Sequence, residues 1–208
     1  MVSGKRAELL EQIEKTRKSS TGRKIDRRMK EFKSLGKKKD KLFNELCFCI
    51  LTANYSAEGG IRIQKEIGEG FSTLPEKQLA NKLKKLGYRF PNKRAEYIVE
   101  SRKCINSLKN LKKGPEAREW LVKNVKGLGY KEASHFLRNI GYTDVAIIDF
   151  HIVDLLADYK LIKKPKTMTK KNYLKIEKLL RKIAANVNLN LGELDLYLWY
   201  METGKILK

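Results

Sequence analysis

The sequence is short of the residues that build stapled or metal-held folds. It has three cysteines, Cys47, Cys49 and Cys104, and two histidines, His135 and His151. An odd cysteine count without framework spacing argues against a disulfide scaffold. No CxxC pair occurs, and the few donors argue against a structural zinc or an iron–sulfur cluster. Cys47 and Cys49 read as small core hydrophobes. No cofactor and no metal is expected. Long apolar runs are also missing: the longest, around LCFCILTA, is far too short to cross a bilayer. Lys5 and Arg6 are followed by AELLE rather than by the apolar core of a signal peptide. A soluble, intracellular protein (cytoplasm or nucleoid) with no membrane partner is expected. No convincing set of strands appears, and VAII at 145–148 is short and isolated.

Acidic residues are few as well. Lys plus Arg total 46 against 24 Asp plus Glu, a net charge of +22 over 208 residues. Residues 1–40 hold 14 basic and 6 acidic side chains, a net of +8, and residues 160–182 hold 10 and 1, a net of +9. Such fields imply a polyanionic partner, because lysines and arginines that meet phosphates release counterions. A charged thermophile surface is the alternative, but those networks usually balance lysine with glutamate. Nucleic acid is the expected partner.

What the sequence does have is helical periodicity. AELLEQIEKTRK places Leu9 and Ile13 on one face, and KDKLFNELCFCILTA reads as a mostly buried helix. STLPEKQLANKLKKLG has a start signal in Ser72/Thr73 with Pro75 and a stop at Gly87. PNKRAEYIVESRKCINSL and GPEAREWLVKNV open on or beside Pro91 and Pro115. KEASHFLRNIG carries an apolar stripe of Ala133, Phe136, Leu137 and Ile140. FHIVDLLADY, TKKNYLKIEKLLRKIAANV and LGELDLYLWYMETG follow. The pattern predicts an all-α chain of about nine or ten helices. Residues 19–26 and 160–169 read as loops.

One stretch carries more information than the rest. EWLVKNVKGLGYKEASHFL reads as helix, tight turn, helix. Gly127 and Gly129 give the backbone freedom and let amides approach a ligand with no Cβ in the way. With Lys126 beside them and the positive end of the next helix behind, they suit a phosphate. An ordinary αα-turn with glycines for geometry alone is the plainer reading. Lys131 then falls in the first turn of the second helix, where a cation opposes the dipole at a cost of ~0.3–1 kcal/mol. The dipole and the basic surroundings both disfavour the ammonium form, and a neutral amine is a nucleophile able to form a Schiff base. A further phosphate-binding lysine is the alternative. Asp149, 18 residues on, suits a helix N-cap. A capping carboxylate is rigidly aimed, which also suits catalysis.

The segment VKGLGYKEASHFLRNIGYTDVAIIDFHI resembles the active-site segment of the helix-hairpin-helix DNA glycosylases, which include the endonuclease III and 8-oxoguanine glycosylase branches. Weaker resemblance spans LCFCILTANYSAEGGIRIQKEI and LGYRFPNKRAEYIVESRK. The four-cysteine cluster usual at the end of the endonuclease III branch is missing. The small size, the lack of an N-terminal sheet domain and the final GKILK resemble the type-2, archaeal-style 8-oxoguanine DNA glycosylases.

The resemblance implies a mechanism and a set of roles. Lys131 would attack C1′ of the damaged nucleotide, expel the base and form a Schiff base, and β-elimination would nick the strand. Asp149 would steady the developing sugar cation. Asn54, in TANYSA, would fill the space left by the flipped base, and Phe90 would wedge the opposite strand, unless it is a core residue. His151 would lie near a phosphate, or else be a solvated helix residue. Lys208, through its terminal carboxylate, would recognise the lesion, and Trp199 would stack on it or pack in the core. The fold implied is two helical subdomains: residues 39–143 with the hairpin, and residues 1–38 plus 144–208, with the pocket between them. The partner would be double-stranded DNA containing an oxidised base, bound by a monomer. An oxidised-pyrimidine glycosylase, a non-enzymatic hairpin DNA-binding module and an RNA-associated structural protein stay open as alternatives.

Overall fold

Residues 2–208 are described by a computed structural model in which regular structure is entirely helical. The chain order is α1 (Val2–Arg17), α2 (Ser20–Gly36), α3 (Leu42–Thr52), α4 (Ala57–Ile67), α5 (Gly70–Thr73), α6 (Glu76–Lys85) and α7 (Pro91–Ser101). A single 3₁₀ turn at Arg102–Cys104 leads to α8 (Ile105–Leu108), α9 (Gly114–Asn124), α10 (Tyr130–Asn139), α11 (Phe150–Asp158), α12 (Lys170–Asn186) and α13 (Leu191–Thr203). Among the described residues there is no strand, and no helix is long and apolar enough to cross a membrane.

The apolar residues gather in two clusters. The first runs from Leu42 to Val145 and takes in α3, α6, α7, α9 and α10. Cys47 and Cys49 sit in it, fully buried and unpaired, as small hydrophobes. The second joins Leu9 and Ile13 of α1 and Ile25 and Phe32 of α2 to α11, α12 and α13. The chain thus leaves the second cluster after α2 and returns to it through residues 146–149.

Among the described residues, thirteen α-helices stand where about nine or ten were expected, because α2, α4 and the one-turn α5 and α8 were not foreseen as helices of their own. Three further expectations need correction. Residues 19–26 are not a loop: they open α2, whose N-cap Ser19 accepts from the Thr21 N–H at 3.0 Å. Ile25 and Phe32 are buried with Met29 packed between them, an i, i+4, i+7 stripe set among many basic residues. The helix expected from Ser72/Thr73 begins only at Glu76, because Pro75 stands at its N-cap and Ser72 and Thr73 belong to α5. PNKRAEYIVESRKCINSL is broken after Ser101 by the 3₁₀ turn. Residues 160–169 are irregular as expected.

VAII, too short for a strand, has its backbone groups met by side chains of α12. Glu177 Oε2 accepts from the Ala146 N–H at 2.9 Å. Tyr173 Oη donates to the Ala146 carbonyl at 2.7 Å and accepts from the Ile148 N–H at 3.2 Å. Glu177 is itself bidentate to Arg118 of α9, with the Nη2–Oε1 arm at 3.0 Å. This buried pair ties the hairpin's first helix to the segment that delivers Asp149.

Candidate active site

The hairpin is built as its glycines require. Gly127 has φ +83°, a left-handed conformation that side chains resist. A Cβ there would also meet the Tyr97 ring at 2.4 Å. Gly129 is extended instead, and its N–H donates to Glu132 Oε2 at 3.2 Å at the start of α10. The Leu128 N–H is turned inward to the Val125 carbonyl. Lys126 is exposed but paired: its Nζ lies 2.8 Å from Glu96 and 3.2 Å from Glu100. The turn therefore holds its cation against two carboxylates, so a phosphate binding there has to displace them.

Lys131 is the second residue of α10, half-buried, with its Nζ 3.8 Å from Glu132 Oε1. Asp149 caps α11: its Oδ1 accepts from the Ile152 N–H at 3.1 Å. Both line one cavity of about 1000 Å³. The volume matches that of small-molecule sites in proteins. Asn54, His151, Trp199 and Lys208 line the same cavity. Asn54 is exposed with φ +61°. Trp199 is half-buried on α13 and faces the cavity rather than filling the core. The His151 ring meets it edge-on, centroids 4.8 Å apart, and is partly buried at the start of α11. Phe90 stands outside this group. It is 45% exposed, which removes the core reading, and the Arg89 guanidinium lies 5.0 Å from its ring centroid.

The structure adds residues that the sequence did not single out. His135 lies one turn after Lys131 and lines the cavity while only 7% exposed. Both its ring nitrogens are buried without a hydrogen-bond partner. Burial, and then the positive charges of Arg138 and Lys131, drive its pKa well below the usual histidine range. It is a neutral donor–acceptor buried at the cavity wall. Asp195, on α13, also lines the cavity and accepts from Arg138 Nη1 at 3.0 Å. Phe150, 68% exposed, stacks on His151 at the cavity edge. Helical spacing was the available signal: His135 is four residues from Lys131.

Chemically, the arrangement sets the Lys131 amine and the Asp149 carboxylate, fixed as a helix cap, on the wall of a cavity that also offers an indole, two imidazoles and other charged groups. An amine forms a covalent imine with an aldehydic or acetal carbon. A carboxylate held nearby stabilises positive charge that develops there. The aromatic groups suit a flat, heteroatom-bearing ligand.

The family model for 8-oxoguanine DNA glycosylase matches residues 25–189. A relative from Methanocaldococcus jannaschii named 8-oxoguanine DNA glycosylase/AP lyase is 56% identical over 206 residues, covering 96% of this chain and 99% of the relative. The crystal structure of the M. jannaschii 8-oxoguanine glycosylase/lyase with a 15mer DNA containing 8-oxoguanine superposes with a TM-score of 0.93 at 55% identity, over 96% of this chain and 99% of that one. The crystal structure of the Thermotoga maritima 8-oxoguanine DNA glycosylase gives 0.92 at 50% identity, over 98% and 100%. With the hairpin, the lysine and the capping aspartate in place, this chain belongs to the helix-hairpin-helix 8-oxoguanine DNA glycosylase family.

Proposed function

We propose that this chain removes 8-oxoguanine from duplex DNA and then nicks the strand as an AP lyase. The observation that carries the reading is the single cavity lined by both Lys131 and Asp149, in a chain of this family. The target nucleotide leaves the base stack and enters the cavity. Lys131 Nζ attacks C1′, the C1′–N bond breaks and the base departs with its electron pair. Loss of a proton and opening of the sugar give the Schiff base. β-Elimination then breaks the C3′–O bond and leaves a nick on the 3′ side. Asp149 offsets the positive charge that grows on the sugar as the base leaves.

Around that centre the other roles follow. Trp199 and His151 form an aromatic corner against which a flat base stacks. Lys208 contacts the lesion from the cavity wall. Asn54, exposed at the cavity edge, enters the vacated stack, and Phe90 wedges the opposite strand. Lys126 and the Gly127–Gly129 turn meet a phosphate after Glu96 and Glu100 give way. We read residues 39–143 as one subdomain and residues 1–38 plus 144–208 as the other, in line with the two apolar clusters. All the named residues come from one chain, so a monomer suffices, working where genomic DNA lies.

The test is a panel of duplexes carrying 8-oxoguanine, an oxidised pyrimidine or no lesion, assayed for free base and for strand scission. Release of 8-oxoguanine with scission supports the reading. Preference for the pyrimidine, or binding without either product, contradicts it.

A further inference from the structure

Glu45 is an acid in an apolar place. It lies on α3 at 2% exposure, beside Leu46, Cys47 and Phe48, which are completely buried. A carboxylate there is costly unless it is paired and fully hydrogen-bonded. Both oxygens are in fact engaged. Oε1 accepts from Asn139 Nδ2 at 2.6 Å. Oε2 accepts from Gln64 Nε2 at 3.1 Å and from Lys208 Nζ at 2.8 Å. The Lys208 ammonium also donates to Gln64 Oε1 and sits 4.2 Å from the Phe48 ring centroid. The cation in contact with this buried acid thus comes from a residue 163 positions later.

The segment it comes from has little else to hold it. Residues 205–208 carry no regular structure. The Lys205 ion pair to Glu58, at 2.6 Å, is about half exposed on both sides, the kind of pair that contributes little. Ile206 packs on the second apolar cluster. The Lys208 side chain is 19% exposed and its partner 3%. This is the contact with low-dielectric strength and directional hydrogen bonds on several sides. Its consequence lies on the backbone. Where the side chain is seated, Lys208 and His135 line the cavity together. Phe48 joins the two, meeting Lys208 on its face and His135 at its edge, 5.5 Å between ring centroids.

We propose that Glu45, supported by Asn139 and Gln64, is a positioning residue that seats the Lys208 ammonium and thereby fixes the Lys208 backbone as the lesion-facing wall of the cavity. The inference rests on the functional reading above, in which Lys208 contacts the damaged base. Glu45 touches neither base nor sugar in this scheme. Its effect is confined to the step that has a base to recognise. An abasic site has none, so Lys131 acts on such a site without help from the socket.

Glu45→Gln tests this directly, because glutamine keeps the size and one acceptor and removes the charge. Two readouts are needed. The first is the backbone nitrogen order parameters of residues 205–208, read by nuclear spin relaxation in the full-length free protein, which should fall markedly in the variant. Unchanged order there overturns the socket, whatever the substrate is. The second compares single-turnover 8-oxoguanine release with borohydride trapping on a ready-made abasic duplex. Release should fall by about ten- to a hundredfold, the scale of a small misplacement in a site, with trapping unchanged. Equal loss on both substrates makes Glu45 merely structural and overturns the proposal, as does wild-type release. A wild type that frees no 8-oxoguanine overturns the functional reading and the lesion half of this inference, while the order parameters still decide the socket. If Glu45→Gln does not fold, Lys208→Met empties the socket from the other side and must give the same fall in backbone order.

Discussion

Asp195 and Arg138 form a buried ion pair on the cavity wall, Oδ2 to Nη1 at 3.0 Å, with side chains 10% and 4% exposed. Burial lifts the Asp195 carboxyl to about 6, the arginine pulls it down, and the Asp149 carboxylate pushes it up again. An unfolded aspartate titrates near ~3.9. Below that value both states are protonated and the folded state keeps its full advantage. As pH rises through about 6, the folded acid must ionise and this advantage is lost. Asp195→Asn mimics the protonated form, so its melting temperature should gain on wild type between pH 4 and pH 7. A difference that stays flat, or moves the other way, contradicts this ionisation.

Asp149 has two separable duties. Asparagine caps a helix about as well as aspartate but carries no charge. Asp149→Asn should melt like wild type and lose about 10²–10³ in base release, the scale of one electrostatic stabiliser. Asp149→Ala should lose the same activity and ~1 kcal/mol of stability besides. Thermal melts beside single-turnover excision separate the two.

Gly127 carries a conformational and a steric demand together. Its φ of +83° and the 2.4 Å approach of the Tyr97 ring leave no room for a methyl group. Gly127→Ala should destabilise the protein by about 1–3 kcal/mol, read by urea denaturation, and weaken duplex binding. A neutral result would show that the turn relaxes freely.

Lys126 is held by Glu96 and Glu100 in the free protein. If it transfers to a phosphate on binding, Lys126→Ala should weaken binding across sequences and reduce the salt slope by about 1. A slope equal to that of wild type would mean that the lysine keeps its carboxylates.

The helices that place the site were largely legible in the sequence. The stripe Ala133, Phe136, Leu137 and Ile140 is buried, and α10 and α11 begin where the hairpin glycines and Asp149 said they would. These were local signals of period and capping. What escaped was long-range or masked. In α2 the stripe Ile25, Met29, Phe32 and Leu35 is present at helical spacing but diluted among basic residues. Asp195 reaches the cavity through packing between elements far apart in the chain, whereas His135, one turn from Lys131, was within reach of helical spacing. Glu45 looks like a surface residue of a helix until its partner, 163 residues away, is in view.

The central claim is that the Lys131 amine bonds to the sugar. The most direct measurement is borohydride reduction during turnover of an 8-oxoguanine duplex, followed by peptide mapping of the cross-linked protein. The adduct should map to Lys131, and Lys131→Gln should still bind the duplex while trapping falls by about a thousandfold or more. An adduct on another residue, or undiminished strand scission by the glutamine variant, would contradict the account.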